Sequence, residues 1–532
     1  MRMRRLLPLT ALLLLGLPAV ASADSRLESM FQDDPRILSS DAKTRDSTLN
    51  EIKALGGQRI RVTAFWNRIA PDAQSTTKPA GFDPSNPNAY PAAGWKVLDA
   101  VVQGAAKRGL KINLNPSAPG PKWAMSGFIE DRLDPVSNPS PGEYASFVAA
   151  LGQRYSGTFV PDGATAPLPR IDYWSIWNEP NQGAWLAPQW VGTGSSAVPA
   201  SPQQYRSLVA GAWAALTVSG HGVDKDTILV GDTAPKGRPT VSSVASAMSP
   251  ITFIERLYCL DDNLQILKGA DAKAQGCAET PDPAAFVAAN PALFQMTGYA
   301  HHPYELTFRP DVVSPDQPKK SVTTANLGLL TDQLDRIMAR YQVTRKPIPL
   351  YLTEYGYQTN PPDREAVSLN EQAAYLNQGE YIAWRNSRVR TLSQFLLVDD
   401  GPIPGTAKAD KWASSFQSGL RYGPESGKEG KAKPSLDAYR VAFFLPDRTV
   451  PKSKALKVWA HVRPGTGAKT VTLQLRGKTG AYKNFRTLKT NTYGFLNKTV
   501  RVRVSSRAAR LVWKDGGKSN SSRGVSFKVA TK

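Results

Sequence analysis

Two short stretches carry the residues best suited to chemistry. "IDYWSIWNEPN" (171–181) brings Asn178 and Glu179 to the end of an apolar, aromatic run, and "YLTEYGY" (351–357) does the same for Glu354. Burying a carboxylate is costly unless something pairs with it or uses it. A single glutamate in such a place is more often a salt-bridged structural group, but two in aromatic-rich settings form a pattern. One carboxyl that keeps its proton and one that stays ionised are what cleavage of a glycosidic bond needs: the first protonates the leaving oxygen, the second captures the oxocarbenium-like centre. Neighbours would separate the two roles. A guanidinium such as Arg61 lowers a carboxyl pKa, whereas an apolar setting such as Trp174 and Trp177 raises one. His301, His302 and Tyr304 end a further run, "QMTGYAHHPY" (295–304). Adjacent strand residues point to opposite sides, so the two histidines do not converge on one ion, and no metal and no cofactor are expected.

These residues need a scaffold that gathers strand ends. Between residues 60 and 400 a short β-rich run recurs, followed each time by a segment of helical spacing. The runs are "IRVTAFW" (60–66), "LKINLNP" (110–116), "IDYWSIWN" (171–178), "TILVGD" (227–232), "QMTGYAHHPY" (295–304), "IPLYLTEYGY" (348–357) and "LSQFLLVDD" (392–400). Intervening stretches such as "AGWKVLDAVVQGAAKRG" (93–109) repeat apolar residues every three or four positions, as a helix covering a sheet requires. With an eighth strand near "SMFQDD" (29–34), the units close an α/β fold, a (β/α)8 TIM barrel whose functional groups sit at the C-terminal strand ends. No glycine-rich phosphate loop follows any strand, which sets aside the open doubly wound sheet.

"WNEPN" (177–181) and "TEYGY" (353–357) resemble the fourth- and seventh-strand motifs of the clan A retaining glycoside hydrolases. "GGQRIRVTAFW" (56–66) is similar to the clan's second-strand pattern, with Arg61 and Trp66 in register, and "HPY" (302–304) to its sixth-strand His-x-Tyr. The resemblance covers most of residues 29–445 and points to families 39 and 5. It implies Glu179 as general acid/base and Glu354 as nucleophile. It further implies Asn178 at the sugar 2-hydroxyl, Arg61 and Tyr304 on the nucleophile, His302 near substrate or acid/base, and Trp412 stacked at the cleaved sugar. The eighth strand departs from the pattern, ending in "LLVDDG" with Trp412 only later. Asp399 and Asp400 would bind hydroxyls or cap turns; Trp123 and Trp185 would be sugar platforms or core. A non-catalytic sugar-binding barrel and a transglycosylase are the competing readings.

The remainder of the chain frames this barrel. "MRMRR", an apolar stretch and "ASA" read as an export leader cleaved after Ala23, leaving a secreted or wall-associated protein. Cys259 and Cys277, the only cysteines, read as a disulfide rather than free thiols in an exported chain. The barrel is expected over 24–449, with a small antiparallel β-sandwich over 450–532 built from alternating runs such as "KTVTLQLRG". That last segment holds 20 lysines and arginines against one acid, so it carries +19 of the chain's +22. The barrel is therefore nearly neutral, which argues against a nucleic-acid enzyme with its positive field at the cleft. The basic segment would bind an acidic glycan or anionic wall polymer, bind sugar through Trp459, Tyr482 or Trp513, or serve as a spacer. An oligo- or polysaccharide substrate and a monomer are expected.

Overall fold

A computed structural model describes residues 26–127, 135–405, 411–412, 415–451, 455–463, 467–503, 505–515 and 517–530. The expected leader lies outside the described residues. Eight strands run parallel and close on themselves: β1 (Glu28–Gln32), β2 (Arg59–Phe65), β3 (Lys111–Ser117), β4 (Tyr173–Ser175), β5 (Thr227–Thr233), β6 (Gly298–His301), β7 (Leu350–Tyr355) and β8 (Val389–Phe395). Each pairs with the next, and β8 returns to β1 through the register Glu28 to Thr391.

A helix follows each strand: α1 (Ala42–Ala54), α2 (Ala92–Lys107), α3 (Pro141–Arg154), α4 (Ser201–Val218), α5 (Pro250–Leu257), α6 (Leu327–Arg340), α7 (Leu369–Arg385) and α8 (Pro434–Arg440). Local chemistry sets their starts. Ser140 accepts from the Glu143 amide ahead of Pro141, and Ser368 and Glu371 form a reciprocal capping box. On α3 the buried face is Tyr144, Phe147, Val148 and Leu151, at the three-to-four spacing of the sequence.

Strand alternation sorts β2 between two environments. Ile60 and Val62 join the large core under the helices. Arg59, Arg61 and Thr63 occupy the other face: Arg59 lies 3.7 Å over the Tyr173 ring, in the lower barrel with Leu229, Ala300 and Tyr351, while Arg61 reaches the mouth. An arginine row inside a barrel is thus split into a structural member and a site member.

β9 (Val441–Phe444), β10 (Ala455–Val462) and β13 (Phe495–Arg501) form one antiparallel sheet; β11 (Thr470–Arg476), β12 (Lys483–Lys489), β14 (Ala508–Asp515) and β15 (Lys518–Ser521) form a second. The two share a core of Phe443, Val458, Leu496, Leu473, Leu511 and Trp513. Antiparallel pairing begins at Val441, so the β layer takes in residues before 450. The outer side of the first sheet meets α7 through Trp384, Trp459 and Phe495. Trp459 and Trp513 are buried packing residues. Cys259 and Cys277 are joined by a disulfide closing a separation of 18 residues beside α5.

Candidate active site

The β4 ladder stops at Ser175, two residues short of where the apolar run ends, because the chain turns sharply. Trp177 has φ 65° and Glu179 φ 38°, left-handed values uncommon for non-glycine residues. Side chains take over the lost strand bonds. Tyr205 Oη donates to the Ile176 carbonyl at 2.9 Å, and Asn115 Nδ2 donates to the carbonyls of Ser175 (2.9 Å) and Trp177 (2.6 Å). The Glu179 amide donates to the Asp232 carbonyl at 3.0 Å. This bracing turns Asn178 and Glu179 inward over the barrel mouth.

Arg61, fully buried, organises the floor. Its Nη1 donates to Gln32 (2.6 Å) and to Glu354 Oε1 (2.7 Å), and its Nη2 donates to Asn178 Oδ1 (2.7 Å) and lies 3.3 Å from Asp232 Oδ2. Asn178 thereby keeps its amide nitrogen as a donor for a ligand. Tyr304 Oη donates to Glu354 Oε2 at 3.0 Å. His302 Nδ1 is 2.9 Å from Glu179 Oε1 and 3.6 Å from Glu354 Oε2. Each of Glu179, His302 and Glu354 offers a polar atom within 4.8 Å of the others. The strand's alternation sends His301 the other way, to Thr233 and the Val322 carbonyl.

Electrostatics distinguish the groups. Burial pushes the Glu354 carboxyl up from its ordinary value; His302 and Arg61 pull it down, and Glu179 adds to the rise. The expected pull of Arg61 on Glu354 is present, yet burial outweighs it. Burial alone would lower His302, but Glu354, Asp232 and Glu179 raise it to about 9, so it is an imidazolium at neutral pH. Both ring nitrogens then carry protons, and Nδ1 donates rather than offering a lone pair to a cation. Burial likewise opposes ionisation of Asp232, but Arg61 and then His302 hold it near 2.

The cleft above these groups encloses about 460 Å³ and is lined by Asn178, Glu179, Glu354, Tyr304, Trp185 and Phe416, among others. Of the residues singled out in the sequence, Arg61, Asn178, Glu179, His302, Tyr304 and Glu354 converge. Trp66 and Trp412 do not line the cleft. Trp66 is buried, stacked on Phe147 at 5.6 Å, and Trp412 is largely buried with Lys411 over its ring. Phe416, 44% exposed and edge-on to Phe395 at 5.2 Å, supplies the aromatic wall on that side. Trp123 borders a separate groove with Met125. Asp400 lines the cleft, whereas Asp399 is buried beneath it against Lys433 Nζ at 2.6 Å.

Sequence reasoning passed over Asp232, Gln32 and Phe416. A signal existed for the first: "TILVGD" ends a barrel strand in a carboxylate, as "WNE" and "TE" do. Phe416 comes from a long loop and carries no comparable mark.

A closed (β/α)8 barrel with a buried guanidinium and two facing glutamates at its mouth is the class of protein that the fold and the site define. No protein-family model matches the chain, and no curated protein does. Among solved structures it is similar to a monomeric beta-xylosidase from Caulobacter crescentus CB15, with 14% identity, a TM-score of 0.45 and coverage of 91% of this chain and 96% of that one. It is also similar to a family 1 b-glucosidase from Thermotoga maritima (12%, TM-score 0.45, covering 79% and 97%). A GH5_18 structure from Streptomyces cattleya in complex with GlcNAc is a third (16%, TM-score 0.45, covering 81% and 84%). At these scores the likenesses carry nothing further. The barrel is read from this chain's own strand pairing, and the chemistry from the residues at its mouth.

Proposed function

We propose that the chain is an exported retaining glycoside hydrolase acting on an oligo- or polysaccharide. The observation that carries this is the approach of Glu179 and Glu354 across one cleft, an oxygen of each lying within 4.8 Å of the other. Separations near 5 Å suit double displacement, whereas inverting pairs stand further apart to admit a water. Glu354, fixed by Arg61 and Tyr304, attacks the anomeric carbon while Glu179 protonates the leaving oxygen. Glu179 then takes a proton from water, which releases the sugar. Asn178 holds the 2-hydroxyl. Glu354→Gln should lower turnover of an aryl glycoside by roughly 10⁴-fold or more with the circular dichroism unchanged. A fluorinated glycoside should label Glu354; wild-type turnover in the variant would refute the assignment. Transfer to an added sugar acceptor in place of water would mark a transglycosylase with the same residues.

Export rests on the leader and is supported by the disulfide, which suits an oxidising compartment. The basic sandwich is a docking module for an acidic glycan or anionic wall polymer. Its outer sheet sets Arg476 and Arg510 over the Tyr482 ring at 5.1 and 4.4 Å, with Gln474 holding Arg510 at 2.8 Å. Retention on immobilised polygalacturonate should weaken with salt and with Arg476→Gln/Arg510→Gln; equal retention on a neutral glucan would argue for a spacer.

A further inference from the structure

Asp232 was not among the residues picked from the sequence, and no step above uses it. We propose that Asp232 is a positioning residue for this site: it holds His302 with Nδ1 facing Glu179, and His302 and Glu179 together carry the proton that the leaving oxygen receives. The proposal rests on the glycosidase reading for the destination of that proton. The geometry of the hold stands without it.

Asp232, next to last in β5, is 1% exposed and sits at φ 45°, a conformation few aspartates adopt. Each polar group it offers is aimed at a member of the site. Oδ1 accepts from Thr353 Oγ1, the residue before Glu354, and lies 3.4 Å from His302 Nε2. Oδ2 lies 3.3 Å from Arg61 Nη2. Its carbonyl accepts the amide of Glu179 at 3.0 Å. One residue thus touches β2, the turn after β4, the segment after β6, and β7.

The consequence is a line of three groups. Asp232 faces one nitrogen of the imidazole and Glu179 Oε1 faces the other at 2.9 Å. An anion 3.4 Å from Nε2, an ion-pair contact rather than a closed hydrogen bond, favours the imidazolium and biases the ring's orientation. The proton on Nδ1 then moves the length of one hydrogen bond to Oε1, which makes Glu179 a neutral acid, and passes to the leaving oxygen. When Glu179 later deprotonates the attacking water, the proton returns to the same pair. His302 is also faced by Glu354, Arg61, Tyr304 and its neighbour His301. Glu354 adds to the anionic side and Arg61 opposes it, so the Asp232 share has to be measured by difference.

The test is Asp232→Asn, which preserves shape and the acceptor for Thr353 while removing the charge. Nitrogen NMR of the four histidines follows His302 directly, and the His301 signal together with circular dichroism reports an intact fold. In the wild type His302 should titrate near 9, and in the variant about one pH unit or more lower. The alkaline limb of kcat/KM should move down with it, while Asp232→Ala, which also removes the acceptor for Thr353 beside Glu354, adds a loss of rate. A neutral His302 at pH 7 in the wild type overturns the proposal. So does an unshifted His302 in a folded Asp232→Asn protein. If no glycoside is cleaved, the functional reading and the proton's destination fall, while the titration still decides whether Asp232 holds His302.

Discussion

At the residue scale, the two glutamates differ in what reaches them. Glu354 takes hydrogen bonds from Arg61 and Tyr304 deep in the barrel, whereas Glu179 stands higher, bonded to His302 and facing the cleft. In the proposed double displacement Glu354 attacks as the carboxylate, so activity should fall as pH drops through its raised pKa. Donors to the ionised form set where that fall begins. Tyr304→Phe removes one of them without opening the pocket. The acid limb of kcat should therefore move to higher pH by about half a unit to one unit, as a pH–rate series would record. A shift to lower pH would mean that Tyr304 donates elsewhere. The shared burial of Arg61, Asp232 and His302 also explains why only part of this picture was legible from residue types and spacing. Residue types and strand ends mark Glu179, Glu354, Arg61, His302 and Tyr304, but burial decides protonation, and burial depends on the closed barrel. The rise in Glu354 was hidden for that reason.

At the scale of elements, the barrel was legible because a short apolar strand followed by an amphipathic helix is a strong repeated pattern. Seven strands were found within a few residues of their observed bounds, and the eighth at the expected "SMFQDD". Strand ends were less legible. β4 was read as running to Asn178, but it stops at Ser175, since the positive φ of Trp177 depends on tertiary bracing. Trp412 and Phe416 show the same limit: which aromatic of a long loop turns into a cleft depends on the loop's path, which leaves no period in the sequence. The bracing itself is testable. Asn115→Ala would leave the carbonyls of Ser175 and Trp177 buried without their shared donor. The expected cost is about 3 kcal/mol in urea unfolding, together with a fall in kcat larger than its change in KM, because the turn carrying Glu179 loosens. A stability loss with full kcat would show that Tyr205 and the Asp232 carbonyl suffice to hold the turn.

At the scale of the whole molecule, the barrel and the β layers are locked at one buried charged point. Glu380 on α7 takes His461 Nδ1 and Arg463 Nη2, each at 2.6 Å; Arg463 continues to Ser29 at the start of the barrel and lies 3.8 Å over the Tyr439 ring. Burial, with Arg463 beside it, holds His461 near 4, so the docked state requires the neutral imidazole. Unfolded histidine titrates near 6.5. The contribution is therefore complete above about 6.5, declines as the pH falls, and is spent once the pH passes through 4; about 3 kcal/mol is at stake. Glu380 acts in the same direction: burial opposes its charge, but Arg463 and His461 hold it below its ordinary value, so acid removes that support as well. Burial also lowers His221 and His301, which act in the same direction, whereas it raises the carboxyls of Asp33, Asp399 and Asp400, which gain stability as the pH falls through the same window, so the interface share has to be read by difference. His461→Gln separates the docking contribution from theirs, since the amide still donates to Glu380 and cannot titrate. Thermal unfolding of the variant should decline less steeply between pH 6.5 and 4 than that of the wild type, with the two curves converging towards the acid end. Parallel curves would show that the interface is insensitive to pH over this window.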